Sequence, residues 1–223
     1  MPFLSIYFYN ITTIGGTKKM FYKIIRPIAR FIVWVLNGHL HIHHKNRLPK
    51  GNYILVAPHR TWWEPILFAL GASPMEFMFM AKIELFKNPV LRFILDHAHA
   101  FPVDRKNPGP SALKIPVKGL RKGELSLIIF PSGTRHSAEL KGGALLISKM
   151  SQKPMVPVVY QGPLSFKGLL KRKGLEVNFG NPITIDRKTK LTHENEKIIY
   201  QQLEDAWKKL DDELDPNFHY VAK

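Results

Sequence analysis

The 223-residue chain is 45% hydrophobic, with 14 Phe, 7 Tyr and 4 Trp, which fits one folded domain with a full core and excludes a disordered chain. Its 33 Lys plus Arg against 17 Asp plus Glu leave a formal charge of +16, favouring a polyanionic partner: nucleic acid, an anionic membrane surface or a phosphorylated substrate. With no cysteine there is no disulfide, no thiolate nucleophile and no Cys-based zinc site, as fits a cytosolic setting.

Residues 1–19 begin with an apolar, aromatic run to Ile14, followed by the basic pair Lys18-Lys19. That order is wrong for a secretory signal, and the run is too short to span a bilayer. Met20 is read as the biological start, with residues 1–19 an upstream extension. Met20 to Leu36 reads as an amphipathic helix. Lys19, Lys23, Arg26 and Arg30 recur at spacings of 4, 3 and 4 along one face, and Ile24, Ile28, Phe31, Ile32 and Val35 crowd the rest. Pro27 is expected to kink or split it, because proline lacks an N–H and clashes with the preceding turn. Asn37-Gly38 ends it. A basic face opposite a broad apolar one suits a helix lying in an anionic membrane interface, so residues 20–38 are read as a membrane-associating segment. The other reading is a helix that caps the domain's own core.

His39-Leu40-His41-Ile42-His43-His44 begins the main domain, read as residues 39–215. Histidine-rich tracts can hold metal, and this one loosely echoes the His-x-His-x-Asp-His of metallo-hydrolases. The carboxylate is missing and no downstream cluster completes a site, so no metal is expected. The tract reads as a strand with His39, His41 and His43 on one face. Tyr53-Ile54-Leu55-Val56 is a buried strand, followed by Ala57-Pro58-His59-Arg60-Thr61-Trp62-Trp63-Glu64-Pro65 and a helix from Ile66. Further strands are expected at Glu76–Ala81, with Lys82 at its end, at His97–Arg105, and at Leu125–Phe130, which breaks into Pro131-Ser132-Gly133-Thr134-Arg135. Met155–Tyr160, Leu175–Phe179 and Ile183–Ile185 complete the set. Helices are expected over Leu85–Leu95, Ser111–Arg121 with Ser111 as N-cap, Gly142–Met150 and Thr192–Leu214. Phe166 to Lys173 reads as a basic loop with two exposed leucines, Leu169 and Leu170, and residues 216–223 as a tail. The alternation implies a single α/β domain: a mostly parallel mixed sheet flanked by helices, with the amphipathic helix in front.

His59 lies just past a strand and just before a helix, where open α/β sheets place their ligands. With His59 in the turn and Glu64 on the helix, the chain can curl back so that the carboxylate takes a hydrogen bond from one ring nitrogen. The other nitrogen is then free to accept a proton, as in the His–Asp half of a catalytic triad; a structural histidine is the competing reading. No Gly-x-Ser-x-Gly elbow is present, so the substrate is expected to supply the nucleophile, a hydroxyl. The turn from Pro131 to Arg135 joins small residues and hydroxyls to an arginine and can hold a phosphate, with Arg105 beside it.

Four segments in order resemble the glycerolipid acyltransferase family, specifically the 1-acyl-sn-glycerol-3-phosphate acyltransferases. Pro58-His59-Arg60-Thr61-Trp62-Trp63-Glu64 is similar to the family's Asn-His-x-Ser-x-x-Asp block. Phe101-Pro102-Val103-Asp104-Arg105 resembles its Phe-x-x-Asp-Arg block, and Phe130-Pro131-Ser132-Gly133-Thr134-Arg135 its Phe-Pro-Glu-Gly-Thr-Arg block. Val156-Pro157-Val158 matches its Val-Pro-Val. The resemblance implies that His59, paired with Glu64, deprotonates the 2-hydroxyl of lysophosphatidic acid. The alkoxide then attacks the thioester of acyl-CoA or acyl-carrier protein, with no cofactor and no covalent enzyme intermediate. It also assigns Arg105, Phe130, Pro131, Ser132, Gly133, Thr134, Arg135, Lys82, Val156 and Pro157 to substrate binding. Glu64 stands for the family Asp, adding one methylene, and Ser132 for the family Glu, removing a carboxylate. The expected partners are an anionic membrane surface, a lysophospholipid and the acyl donor, at the cytoplasmic face of the membrane. No nucleic-acid motif accompanies the charge, and nucleic acid is not expected. Glycerol-3-phosphate is the alternative acceptor; a metal-dependent hydrolase built on the histidine tract, or a basic nucleic-acid-binding protein, are the readings outside this class.

Overall fold

The computed structural model describes residues 16–104, 107–132 and 140–220, with the side chains of 16–19 left aside. Helix α1 (Gly16–Asn37) leads into strand β1 (Leu40–His43) and β2 (Ile54–Val56). Helix α2 (Glu64–Gly71), β3 (Phe77–Lys82), α3 (Pro89–His97) and β4 (Ala100–Val103) follow. Next come α4 (Ser111–Lys122), β5 (Ser126–Ile129), α5 (Gly143–Ser151) and β6 (Met155–Gln161). The short α6 (Phe166–Leu169), β7 (Leu175–Phe179) and the long α7 (His193–Leu214) end the order. The strands form one seven-stranded sheet in the order β1-β7-β6-β2-β5-β3-β4. Every pairing is parallel except β6 with β7, so β1 and β7 run against the other five strands.

The central strand β2 is buried on both faces, as its unbroken apolar run requires. Ile54 and Val56 face a layer with Leu127, Ile129, Leu145, Leu203 and Trp207, closed by α4, α5 and α7. Tyr53, Leu55 and Ala57 face the opposite layer with Leu67, Phe68, Val158, Tyr160 and Phe179, closed by α2. The two-residue period of the strand thus feeds two cores. β2 lies between β5 and β6, and the chain crosses over it in passing from one to the other. Its carboxyl end is therefore a topological switch point.

Helix α7 clamps this central end. The Trp207 indole donates to the Val56 carbonyl at 2.9 Å. Trp207→Phe keeps the packing but removes that buried hydrogen bond, and is expected to cost about 1 kcal/mol in denaturant unfolding. Near the end of α7, Glu213 takes bonds from Asn178 (3.0 Å) and Arg47 (3.3 Å) and lies 3.5 Å from His44. Burial pushes the Glu213 carboxyl up, but the bonds from Asn178 and Arg47 and the charges of Arg47 and His44 outweigh it and hold it below 4.5. A depressed carboxyl adds stability at pH values above its ordinary value, and that gain is lost as pH falls through the depressed one. Thermal melts of Glu213→Gln are therefore expected to fall off less steeply on the acid side than those of the wild type.

Several elements differ from the sequence reading. α1 runs unbroken through Pro27 and begins at Gly16, upstream of Met20; residues 1–15 lie outside the described residues. Pro27 and Lys23, whose carbonyl loses its helical partner, are both on the exposed surface, where water can satisfy it. The helix expected over Leu85–Leu95 is a 3-10 turn, Ile83–Lys87, followed by α3. Asn88 restarts it by accepting from Val90 and Leu91 N–H, with Pro89 in the first turn. His97 ends α3 and does not start a strand. Ser111 is the first residue of α4, and the N-cap position falls to Pro110. Ile183–Ile185 contributes one antiparallel bridge, Met155 to Ile183. The expected loop at 166–173 contains α6, whose N-cap Ser165 accepts from Gly168 N–H. This turns Leu169 inward at 7% exposure and leaves Leu170 outward at 56%.

Helix α1 is fastened at its middle and at its C-terminal end. Arg26 donates to the carbonyls of Pro74 and Met75, each at 3.0 Å, and Tyr22 stacks on His99. At the C-terminal end Asn37 donates to Leu169 and accepts from Gly174, while Arg172 donates to Val35. No helix among the described residues is long and apolar enough to cross a membrane.

Candidate active site

The loop between β2 and α2 folds around one carboxylate. Glu64, the first residue of α2, is 0% exposed. Its Oε2 accepts from the backbone N–H of Arg60 (2.8 Å) and Thr61 (2.9 Å). The His59 ring places Nδ1 3.3 Å from the same oxygen. The five-residue separation therefore closes as the sequence reading expects: the histidine stays in the turn and the acid sits in the first helical turn, where the helix dipole favours it. With Nδ1 donating to Glu64, Nε2 is the acceptor nitrogen. The His59 side chain is 11% exposed, and its ring stacks on Phe130 with centroids 4.1 Å apart.

His59 and Phe130 line a cavity of about 180 Å³ together with Pro65, Phe79, Met80, Val103 and Lys141. The walls come from the carboxyl ends of β3, β4 and β5. The cavity is mostly apolar, with an imidazole on one side and the exposed ammonium of Lys141 on another. It suits a molecule with a hydrocarbon part and a polar, reactive centre.

A buried ion pair holds the loop from behind. Arg60 pairs in two places with Asp211 of α7, and its Nη1 also donates to the Tyr160 carbonyl at 2.7 Å. Gln161 adds bonds to Asp211, and the rings of Phe218 and Tyr220 cover the guanidinium at 5.0 and 5.5 Å. Residues 216–220 are thus docked on the base of the site. This fastening is absent from the sequence reading, as is Lys141; the partners of Arg60 lie 100 and 151 positions away. A signal for Lys141 was available in its position, directly before the helix that follows the Pro131–Arg135 turn.

The other expected site residues are spread around this centre. Pro131 and Ser132 are buried next to Phe130, and the Pro131 carbonyl accepts from Lys141 N–H at 3.0 Å. Arg105, Gly133, Thr134 and Arg135 lie outside the described residues. Lys82 ends β3 on the same side of the sheet; it is exposed and 3.5 Å from Glu84. Val156 and Pro157 are buried in β6 beside Leu55 and Val56 of β2, and neither lines the cavity. In the histidine tract, His43 bonds Glu176 at 2.7 Å and His44 bonds Asn178 at 2.8 Å. Among the described residues no three His, Asp or Glu side chains converge as a metal set.

A histidine–carboxylate pair at the switch point of an α/β sheet, facing a largely apolar cavity, fits a hydrolase or transferase acting at a carbonyl. Residues 39–161 match the family model described as Acyltransferase, and the chain belongs to that family. Its relatives include the 1-acyl-sn-glycerol-3-phosphate acyltransferase of Streptococcus pneumoniae, 44% identical over 206 residues, covering 92% of this chain and 78% of that one. The enzyme of the same name from Bacillus subtilis is 41% identical over 155 residues, covering 68% and 77%. Among solved structures, the 1-acyl-sn-glycerophosphate acyltransferase of Thermotoga maritima superposes with a TM-score of 0.67 at 21% identity, covering 91% of this chain and 83% of that one. At that identity the likeness supports the fold.

Proposed function

We propose that the protein transfers a fatty acyl group from acyl-CoA or acyl-carrier protein to the 2-hydroxyl of lysophosphatidic acid, forming phosphatidic acid for phospholipid synthesis. The observation that carries this reading is the His59–Glu64 pair, its second ring nitrogen left to accept a proton beside an apolar cavity. His59 Nε2 takes the proton of the acceptor hydroxyl as its oxygen attacks the thioester carbonyl. Glu64 holds the ring in orientation and stabilises the imidazolium that forms. The tetrahedral intermediate collapses with loss of the thiolate, which recovers the proton from His59. The chain has no cysteine, and the acyl group goes directly from donor to acceptor with no acyl-enzyme.

By the family resemblance the acceptor phosphate is assigned to Arg105, Arg135 and the turn from Ser132 to Thr134, with Lys82 and Lys141 adding positive charge. Phe130 forms the wall against which the glycerol part rests, with Pro131 next to it in the chain. Helix α1, whose outward side carries Met20, Ile24, Ile28, Phe31, Ile32 and Val35, lies in an anionic membrane interface at the cytoplasmic face. Residues 39–215 form the catalytic domain. The test is an acceptor comparison with purified protein. Lysophosphatidic acid is expected to give phosphatidic acid with one or both donors, and glycerol-3-phosphate to be acylated at least tenfold more slowly. The reverse preference would reassign the acceptor. Lys141→Gln is expected to raise KM for lysophosphatidic acid by about tenfold with kcat little changed. One charge-assisted contact made equally in ground and transition states has that signature in steady-state kinetics.

A further inference from the structure

A second groove in the described structure shares no lining residue with the cavity at His59. It has a volume of about 690 Å³ and lies between α1, the edge strand β1 and the end of α2. Helix α1 supplies Arg26, Arg30, Phe31 and Trp34 on one wall; His39 and Leu40 form the other. Val33 and Leu70 add apolar lining, and no acidic residue faces it. The helix itself, GTKKMFYKIIRPIARFIVWVLN, contains five cations and no Asp or Glu.

The two arginines are placed differently. Arg26 is fixed by its bonds to the Pro74 and Met75 carbonyls and by the Tyr22 ring 4.9 Å below it. Its Nε is buried without a hydrogen-bond partner. Arg30, one turn on, is exposed and has no ion-pair partner among the described residues. Phe31 and Trp34 lie with ring centroids 5.9 Å apart, at 62% and 49% exposure. They carry the groove outward onto the apolar side of α1. The groove thus joins cationic and apolar lining.

From this arrangement we infer a second, non-catalytic site, which takes the phosphate headgroup of an anionic lipid. The phosphate sits between Arg26, Arg30 and His39, where guanidinium forks match its oxygens. The glycerol and the first methylenes pass over Phe31 and Trp34 into the bilayer, aromatic residues being suited to that boundary. A diffuse basic surface would give each exposed cation of α1 equal weight. The groove makes Arg30 count and leaves Lys23 out, because Lys23 does not line it.

The test uses the full chain on phosphatidylcholine vesicles carrying a little phosphatidic acid with a photoreactive group near its glycerol. Adducts are mapped by mass spectrometry. Labelling is expected on Phe31, Trp34 or Leu40. Arg30→Glu and the milder Arg30→Gln should reduce it by about tenfold, as expected for loss of one charge-assisted contact. Lys23→Glu should leave it near the wild-type level, and a diacylglycerol probe should not label the groove. Equal loss in the Lys23 and Arg30 variants would overturn the inference, as would adducts confined to the cavity around His59. Full competition by millimolar inorganic phosphate would mean that the site takes the free ion, and would overturn the lipid assignment. None of these readouts uses acyl transfer, so their failure leaves the proposed reaction untouched.

Discussion

Replacing His59 by Ala is expected to lower kcat by about 10²–10⁴-fold, the range for loss of a positioned general base. KM for lysophosphatidic acid should change little, because the substitution removes a proton acceptor and spares the groups assigned to bind the phosphate. The loop should survive it. Glu64 keeps its bonds from Arg60 and Thr61 N–H, and Arg60 remains pinned to Asp211. A circular dichroism spectrum and melting temperature close to wild type would accompany the loss of rate. If His59 were only a packing partner of Phe130, the same variant would shift the melting curve and leave kcat within a few-fold.

The second large effect belongs to Glu64, where two roles can be separated by choice of substitution. Glu64→Gln keeps the side chain's length, and its amide oxygen can still accept from Arg60 and Thr61 N–H. It removes the charge that balances an imidazolium at His59, so kcat should fall by about two to four orders of magnitude with modest destabilisation. Glu64→Ala adds a structural penalty. The two backbone N–H groups are left buried and unpaired, each costing about 1–3 kcal/mol, so urea unfolding should move to lower concentration along with the loss of activity. Glu64→Asp separates reach from charge. It restores the acid of the family block but withdraws it by one methylene from a pocket formed around the longer side chain. Its activity is expected to fall between wild type and Glu64→Gln.

Much of this site was legible because its parts are local. An unbroken apolar strand, a histidine in the turn and an acid in the first turn of a helix lie within a dozen residues, and five-residue spacing is enough to specify their meeting. The mixed sheet was legible too, from the alternation of apolar runs and helical patterns. What escaped depends on distant partners or on solvent. Nothing local in the sequence distinguishes Arg60; its partner Asp211, 151 residues on, places it under the loop. Pro27 reads as a helix breaker unless its exposure is known, since water can satisfy the freed carbonyl. Leu169 reads as exposed because its neighbours Lys171, Arg172 and Lys173 are charged; a single Ser165 cap, enough to start one helical turn, buries it. The reversed direction of β7 against β6 leaves no mark in composition, for both strands are largely buried.

His59 is expected to mediate direct transfer of an acyl group to a lysophosphatidic acid hydroxyl. A rapid-quench experiment with radiolabelled acyl donor checks this, comparing wild type with His59→Ala and counting label in lipid and on the enzyme after gel separation from any acyl-carrier protein. The wild type is expected to place label in phosphatidic acid, with none on the protein at any time, and the variant to form product at least a hundredfold more slowly. Label that appears first on the protein, a variant as fast as wild type, or no phosphatidic acid from either donor would contradict it.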